Sequence, residues 1–398
     1  MARMCIGKRS VIIIENYITM LQDHLFIAFA IEHYNPLGVI RSLGQKGIHP
    51  DYIAVKGRIR LSSKSKYLNK VHEVETVEEG YRILLREYGE VAAKTGKKPF
   101  IICSDDKTIG YLDLHYDELK DRFYFFNAGQ KGRINDYMDK FRILELAKKH
   151  GLNILESKVV KRGEVPVDLQ YPVITKSISP NSGGWKSDVF ICENASELAE
   201  AFKKIKSEEV MLQRFVEKEN EYAVEGCSVD HGKSTLLSIY SIYNYLIKGY
   251  YSPYRTSGSF DKEETIGKGL RGMIKEIGFE GIFDAEFLLG PDGQYYFLEI
   301  NFRNTTWSYA SAVADMPLPY IWAESTLGGA ISNDAFKPGK GAFLCMVEPI
   351  DYNLRCRQRG FSKVKWLADL LKCKCRDYWN WRDLRPSFLT LKNWTKLG

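Results

Sequence analysis

The chain has 398 residues, 44% hydrophobic and 27% charged, an ordinary globular balance with room for two or three domains. No run of about 18 apolar residues occurs, and the stretch from Val11 to Ile31 is interrupted by Glu15, Asn16, Gln22, Asp23 and His24, which argues against a membrane-spanning helix or signal core and for a cytoplasmic chain. The net charge of +7 sits in the tail: residues 351–398 hold twelve Lys/Arg against four Asp, leaving −1 for residues 1–350, so the body is not a nucleic-acid binder by charge.

Eight scattered cysteines (Cys5, Cys103, Cys192, Cys227, Cys345, Cys356, Cys373, Cys375) form no CxxC pair and suggest neither a zinc site nor a disulfide framework. From about residue 24 to 130 the pattern predicts an α/β unit. Strand Leu25–Glu32 is followed by a turn at Tyr34–Gly38 and a helical stretch through Gly47. Strand Tyr52–Val55, helix Val77–Tyr88, strand Phe100–Cys103 and the loop Ser104–Asp106 complete it. Strands alternating with helices predict a doubly wound, mostly parallel sheet, whose ligands sit beyond the carboxyl ends of its strands.

A helix is expected over Asp136–His150, ending at Gly151. Strand Tyr171–Ser177, loop Ile178–Ser187, strand Asp188–Cys192, helix Ala195–Lys206 and strand Val210–Phe215 form a small α+β lobe. Strands Glu221–Val229 and Thr235–Tyr243 open a second lobe, continued by a helix near Gly267–Ile277, a hairpin from Ile282 to Arg303 and helices to about Leu327.

The hairpin carries the strongest chemical signal. In Leu298-Glu-Ile-Asn-Phe-Arg303 polar and apolar residues alternate, so Glu299, Asn301 and Arg303 share one face. If Pro291–Gln294 is a four-residue loop, Glu286 faces Glu299 and Asp284 faces Asn301. Up to three carboxylates then crowd together, and a hard divalent cation would offset their repulsion. The bland alternative is a solvated polar face, which the aromatic strands around it disfavour. The loop Ser179-Pro-Asn-Ser-Gly-Gly-Trp-Lys-Ser187 could cradle phosphates through its backbone amides, with Lys176 supplying charge; taken alone, a plain β-turn is the better reading. Lys140 on its helix, and the hinge Gln213-Arg-Phe-Val216 leading to Glu221, are equally bland in isolation.

Their order is not bland. A helix lysine, a strand lysine, a glycine loop, an extended hinge with a following Glu, and then Glu…Glu-x-Asn-x-Arg resemble the layout of the ATP-grasp superfamily over residues 25–330. The resemblance implies an ATP-grasp fold: a Rossmann-like N-terminal domain (1–130), a small lobe (131–216) and a large lobe with the metal site (217–350), α+β lobes that clasp ATP, then a basic, Trp-rich tail (351–398). It implies nucleotide binding by Lys140, Lys176, Ser182, Gly183, Gly184, the hinge residues Gln213, Arg214, Phe215 and Val216, and Glu221 at the ribose. Metal ligation falls to Glu286, Glu299 and Asn301, and phosphate stabilisation in catalysis to Arg303 and Lys176. Many members carry a Glu where the hinge here begins with Gln213. The implied cofactors are ATP and two Mg²⁺ ions, replaceable by Mn²⁺.

Within the superfamily, Asn35-Pro-Leu-Gly-Val-Ile-Arg-Ser-Leu-Gly44, the Ser-Asp-Asp loop and the tail pattern Trp366-x-x-Asp369…Trp381-Arg-Asp-Leu-Arg-Pro386 are similar to carboxylate–amine ligases of the D-aspartate ligase kind. The expected reaction is activation of a carboxylate, as in an amino acid, to an acyl phosphate that an amine attacks, with release of ADP and phosphate. Lys248 and Arg255 are candidate binders of the substrate carboxylate or γ-phosphate. A bicarbonate-using carboxylase or carbamoyl-phosphate enzyme, and a non-catalytic ATP-binding module, stay open as rivals. The partners are small carboxylates and amines, no nucleic acid, and a homodimer is compatible.

In the tail, Phe361, Val364, Leu367, Ala368 and Leu371 recur at helical spacing beside Lys363, Lys365 and Lys372. Either that apolar face packs on the large lobe, or it brings the chain to an anionic membrane or lipid-linked acceptor at the inner face.

Overall fold

The computed structural model describes residues 21–178, 187–247, 250–337 and 341–393. Its first unit runs β1 (Phe26–Ile31), α1 (Asn35–Gly44), β2 (Asp51–Val55), β3 (Val71–Val74), α2 (Val77–Ile83), β4 (Phe100–Cys103) and α3 (Asp106–Leu114). The strands form one parallel sheet in the order β3-β2-β1-β4. β1 reads FIAFAI and is buried almost throughout, as a central parallel strand covered on both faces must be. Thr76 and Asp105 cap α2 and α3 by accepting from the amides of Glu79 and Thr108.

Two local expectations change here. Tyr34–Gly38 is no turn, because α1 begins at Asn35 with Pro36 in its first turn, where a missing N–H costs nothing. The helix expected over Val77–Tyr88 keeps α-geometry only to Ile83 and continues to Tyr88 as a wider, π-type turn.

The helix expected over Asp136–His150 is broken. A short turn covers Arg133–Tyr137, and α4 (Lys140–Lys149) starts afresh at the cap Asp139, whose carboxylate accepts from the Arg142 amide at 2.8 Å. Next come β5 (Ser157–Lys161), β6 (Val173–Ser177), β7 (Ile191–Cys192), α5 (Ala195–Phe202) and β8 (Glu209–Arg214). They build an antiparallel sheet in the order β5-β8-β6-β7, with a small core of Val160, Val173, Leu198, Phe202, Val210 and Leu212.

The largest sheet has seven strands. The elements are β9 (Asn220–Val229), β10 (Ser234–Tyr243), β11 (Leu246–Ile247), β12 (Tyr250–Tyr251), β13 (Tyr254–Ser259), α6 (Lys268–Ile277), β14 (Gly281–Leu289) and β15 (Tyr295–Asn301). After α7 (Ser308–Val313) and α8 (Leu318–Gly328) come β16 (Phe343–Met346), α9 (Lys363–Lys372), β17 (Cys375–Arg376) and α10 (Leu384–Asn393). The strand order is β15-β14-β9-β10-β13-β16-β17, so the tail donates an edge strand.

The tail helix packs by an unexpected face. Trp366 is buried and its indole N–H donates to Asp351 at 2.7 Å, while Asp369 accepts from Arg355 at 2.6 Å. Those partners hold the polar-aromatic side inward. Most of the apolar stripe faces out: Val364 is 78% exposed, Leu367 50% and Leu371 69%, while Phe361, ahead of the helix, is half-buried against Tyr245 and Arg355. Among the described residues no helix is long and apolar enough to cross a membrane.

Candidate functional site

The β14–β15 hairpin pairs Asp284 with Asn301 and Glu286 with Glu299. That register is reached by an unforeseen route. The turn extends over residues 290–294, closed by Gly290 N–H to Gln294 O at 2.9 Å, one residue longer than expected. A bulge at Leu298 then takes up the extra residue, where Phe297 bonds out to the Asn153 carbonyl at 2.8 Å. The offset and the bulge cancel, and the polar faces of both strands meet over a cleft.

The cleft encloses about 350 Å³ and is lined by Lys140, Asp284, Glu286, Glu299, Asn301, Arg303, Arg255 and, from the parallel-sheet unit, Asn35 and Asp106. Glu299 takes an ion pair from Lys140 at 2.7 Å. The Lys140 charge holds the Glu299 carboxyl below its ordinary range, although burial opposes it. Asp284 and Glu286 go the other way. Burial pushes both well up, and neighbouring carboxylates add to the push: Glu225 on Asp284, and Asp284 with Glu299 on Glu286. The Asn301 amide approaches Asp284 and Glu286 at 3.5 Å each.

The expected three-carboxylate cluster is therefore looser than the sequence suggests. Among the described residues no three acidic, His or Cys side chains converge as a ready-made metal cage, and Glu299 is engaged by Lys140. Mg²⁺ beside a nucleotide needs only one or two carboxylates, since water and phosphate oxygens complete its octahedron.

Lys176 lies behind Lys140, its ammonium donating to the Gln213 side-chain oxygen at 2.8 Å, while the Gln213 amide donates to Ser157 at 2.9 Å. Burial, with the nearby Lys140 charge, brings the Lys176 ammonium down to about 8. The hinge is less open than expected. The amides of Arg214 and Phe215 are used within the small lobe, donating to the carbonyls of Glu156 and Pro172 at 2.8 and 2.9 Å, and Glu221 is ion-paired with Lys218. Ser182, Gly183, Gly184 and Lys248 lie outside the described residues.

Arg303 is gripped by Asp106 through two bonds of 2.6 and 3.0 Å and also donates to Asn301 at 3.0 Å. The Ser104–Asp106 loop drew attention in the sequence as a strand end and as part of the likeness to carboxylate–amine ligases. Its pairing with an arginine 197 positions away carries no local signal. Arg255 is buried against the faces of Tyr243 and Trp307, 3.9 and 4.5 Å from the ring centroids, and donates to Ser241 at 2.9 Å. Among the described residues its Nε has no partner. Glu225, missed by sequence reading, is fully buried and accepts from Thr305 at 3.0 Å and Ser308 at 2.5 Å.

A parallel-sheet unit, a small antiparallel lobe and a seven-stranded lobe bearing an acidic hairpin define the ATP-grasp fold. No protein-family model matches the chain, and no curated protein does. Solved structures do. The L-amino acid ligase from Bacillus licheniformis shares 13% identity over 78% of this chain and 77% of its own, with a TM-score of 0.58. Biotin carboxylase from Campylobacter jejuni, in a complex with β,γ-ATP, is 15% identical over 82% of this chain and 76% of its own, TM-score 0.63. N5-carboxyaminoimidazole synthetase from Staphylococcus aureus is 14% identical over 85% and 87%, TM-score 0.59. At such identities the likeness establishes the fold.

Proposed function

We propose that the chain is an ATP- and Mg²⁺-dependent ligase that activates a carboxylate as an acyl phosphate and joins it to an amine, forming an amide with release of ADP and phosphate. The observation that carries the reading is the composition of one cleft: a divided set of carboxylates on β14–β15 faces Lys140, Arg255 and Arg303, with Lys176 close enough for its charge to be felt at Glu299. The carboxylates fit a hard cation on their own chemistry. Asp284 keeps one buried oxygen without a partner among the described residues, and burial makes charge on Asp284 and Glu286 costly until a positive partner arrives. Glu286, Glu299 and Asn301, with Asp284 beside them, would hold Mg²⁺ or Mn²⁺, as one ion or two. Bound there, the metal supplies charge neutralisation for the triphosphate.

The residues of the chain then divide the work. Lys140 and Lys176 neutralise phosphate oxygens, and Ser182–Gly184 would cover them. Gln213–Val216 and Glu221 border the nucleoside. Arg303, oriented by Asp106, stabilises the charge that spreads over the transferred phosphoryl group. Arg255, with Lys248 near it in sequence, is the seat for the substrate carboxylate. The same reading divides the chain at 1–130, 131–216, 217–350 and 351–398.

The test is product analysis with amino acids offered singly and in pairs. ADP and phosphate are expected, and hydroxylamine should trap the activated acid as a hydroxamate without any amine. AMP and pyrophosphate would refute the mechanism. ADP release driven by bicarbonate alone would favour the carboxylase alternative, and nucleotide binding without turnover the non-catalytic one.

The tail supports a cytoplasmic enzyme that touches an anionic membrane or lipid-linked acceptor. Val364, Leu367 and Leu371 face solvent beside exposed Lys363, Lys365 and Lys372, and each lysine near an anionic leaflet is worth about 1 kcal/mol. Because β17 completes a sheet, deleting the tail is a poor test; L367D with L371D is a better one. Full-length protein should co-sediment with phosphatidylglycerol vesicles at low salt, and the double variant should stay in the supernatant. Indifference to such vesicles, or self-association through this stripe as a homodimer, would end the membrane reading.

A further inference from the structure

In the run Trp381-Arg-Asp-Leu-Arg-Pro386 the aspartate turns inward to Arg41, whereas Trp381 and Arg382 stand in a groove of about 410 Å³ between the tail and α7. Lys374, Arg376 and Arg382 bring three positive charges to its wall. Among the described residues no acid lines this groove, and none forms an ion pair with those three. The acids of the same stretch, Asp377 and Asp383, are buried and take no part in the lining.

Two donors in the groove lack an acceptor. Tyr309 is 5% exposed, and its hydroxyl oxygen accepts from the Gln45 and Asn380 amides at 3.0 and 2.9 Å, so its own hydrogen has no acceptor among the described residues. The Arg376 guanidinium donates once, to the Leu371 carbonyl at 3.3 Å, and its buried Nε has no partner among the described residues. An unserved buried donor is costly, and an anion with several oxygens serves many at once, phosphate matching a guanidinium well. Rings lie beside the charges. Trp379 and Trp381 meet edge to face with centroids 5.2 Å apart, and Trp381 is 73% exposed, although indoles are usually well buried. Exposed indoles among cations are the composition of a headgroup boundary. The groove also adjoins the outward stripe of α9, because the carbonyl that Arg376 binds belongs to Leu371, the last residue of that stripe. A free phosphate would engage the cations and leave indoles and stripe bare. A phospholipid covers all three.

We propose that this groove seats the phosphate of an anionic phospholipid, held by Lys374, Arg376, Arg382 and the Tyr309 hydroxyl, with its glycerol and upper acyl chain against Trp379 and Trp381. The inference rests on the membrane reading of the tail above and adds to it a saturable headgroup site.

Full-length protein is titrated calorimetrically with dihexanoyl phosphatidylglycerol below its critical micelle concentration and with glycerol 3-phosphate. Co-sedimentation with phosphatidylglycerol vesicles at low salt is measured in parallel. One saturable site for the monomeric lipid is expected, about tenfold or more tighter than for glycerol 3-phosphate, since the chains add apolar burial. Arg376→Gln with Arg382→Gln should weaken it about tenfold or more. Should that pair fail to fold, Tyr309→Phe should weaken it about tenfold, the loss of one bond to a charged group. Lys363→Gln with Lys365→Gln removes equal charge from α9 and should leave binding of the monomeric lipid unchanged. No saturable site, equal affinity for glycerol 3-phosphate, or equal weakening in the α9 control would each overturn the proposal. Vesicle binding lost in L367D with L371D but kept in both groove variants would overturn the groove and leave the membrane reading standing. A chain that ignores the vesicles would refute that reading and, with it, the headgroup seat.

Discussion

Glu299→Gln should reduce ADP formation by about 10³-fold or more at saturating Mg²⁺, the scale on which loss of one transition-state contact registers. Two roles meet at this side chain. Its carboxylate is the ion-pair partner of Lys140 at 2.7 Å, and it faces Glu286 across the hairpin where the cation is proposed to sit. The amide keeps shape and hydrogen-bonding capacity but removes the charge. Lys140 then loses its counterion and the proposed cation one of its proposed ligands, while the strand pairing of β15 is untouched. The expected signature is a large fall in kcat with far-ultraviolet circular dichroism and unfolding midpoint close to those of the parent. Glu276→Gln is the matched control, since Glu276 pairs with Lys149 and His150 away from the cleft. Turnover of Glu299→Gln within tenfold of the parent would remove Glu299 from the metal site.

How much of this was legible follows from what each residue answers to. β1 and β4 are short apolar runs because both faces are covered, and sequence marks such strands well. The hairpin announced itself by alternation, which is a local property, and its pairing came out right although the turn and the bulge were both unforeseen. Strands with less pattern escaped notice: β3 reads VHEV and β5 reads SKVVK, each at one end of its sheet, where one side is free to be polar. Glu225 looked like one more strand residue, because the hydroxyls that hold it come from Thr305 and Ser308, about 80 positions on. The tail helix shows the limit of periodicity. Val364, Leu367 and Leu371 do share an outer face of α9, whereas Phe361 precedes the helix and packs against Arg355; which side packs was decided by Asp351 and Arg355 outside the helix, and they select Trp366 and Asp369.

Arg41→Met should destabilise the chain by about 3–5 kcal/mol, the cost of stripping one partner from a buried ion pair. Arg41 and Asp383 are both fully buried, 3.1 Å apart. The guanidinium also donates to the carbonyls of Asp377 and Tyr378 at 2.7 and 3.0 Å, and Asp383 accepts from Ser65 at 2.8 Å and from the Lys66 amide at 3.0 Å. Arg41 belongs to the Asn35–Gly44 run and Asp383 to the Trp-Arg-Asp-Leu-Arg-Pro run, so two motifs far apart in sequence meet in one contact. α1 also contributes Asn35 to the cleft at its other end, so the tail braces the helix that reaches the candidate site. Methionine fills the space but removes the cation beside Asp383 and the guanidinium bond to the Asp377 carbonyl, while the Tyr378 carbonyl keeps the Ser387 hydroxyl at 2.9 Å. Adding Asp383→Leu should recover only part of the loss, because Ser65 and the Lys66 amide then lack their acceptor. Urea unfolding of the single and double variants measures the coupling directly. Early proteolytic cleavage beyond residue 360 in Arg41→Met would locate the weakness in the tail. A midpoint in Arg41→Met within 1 kcal/mol of the parent would mean that the pair does not hold tail and first domain together.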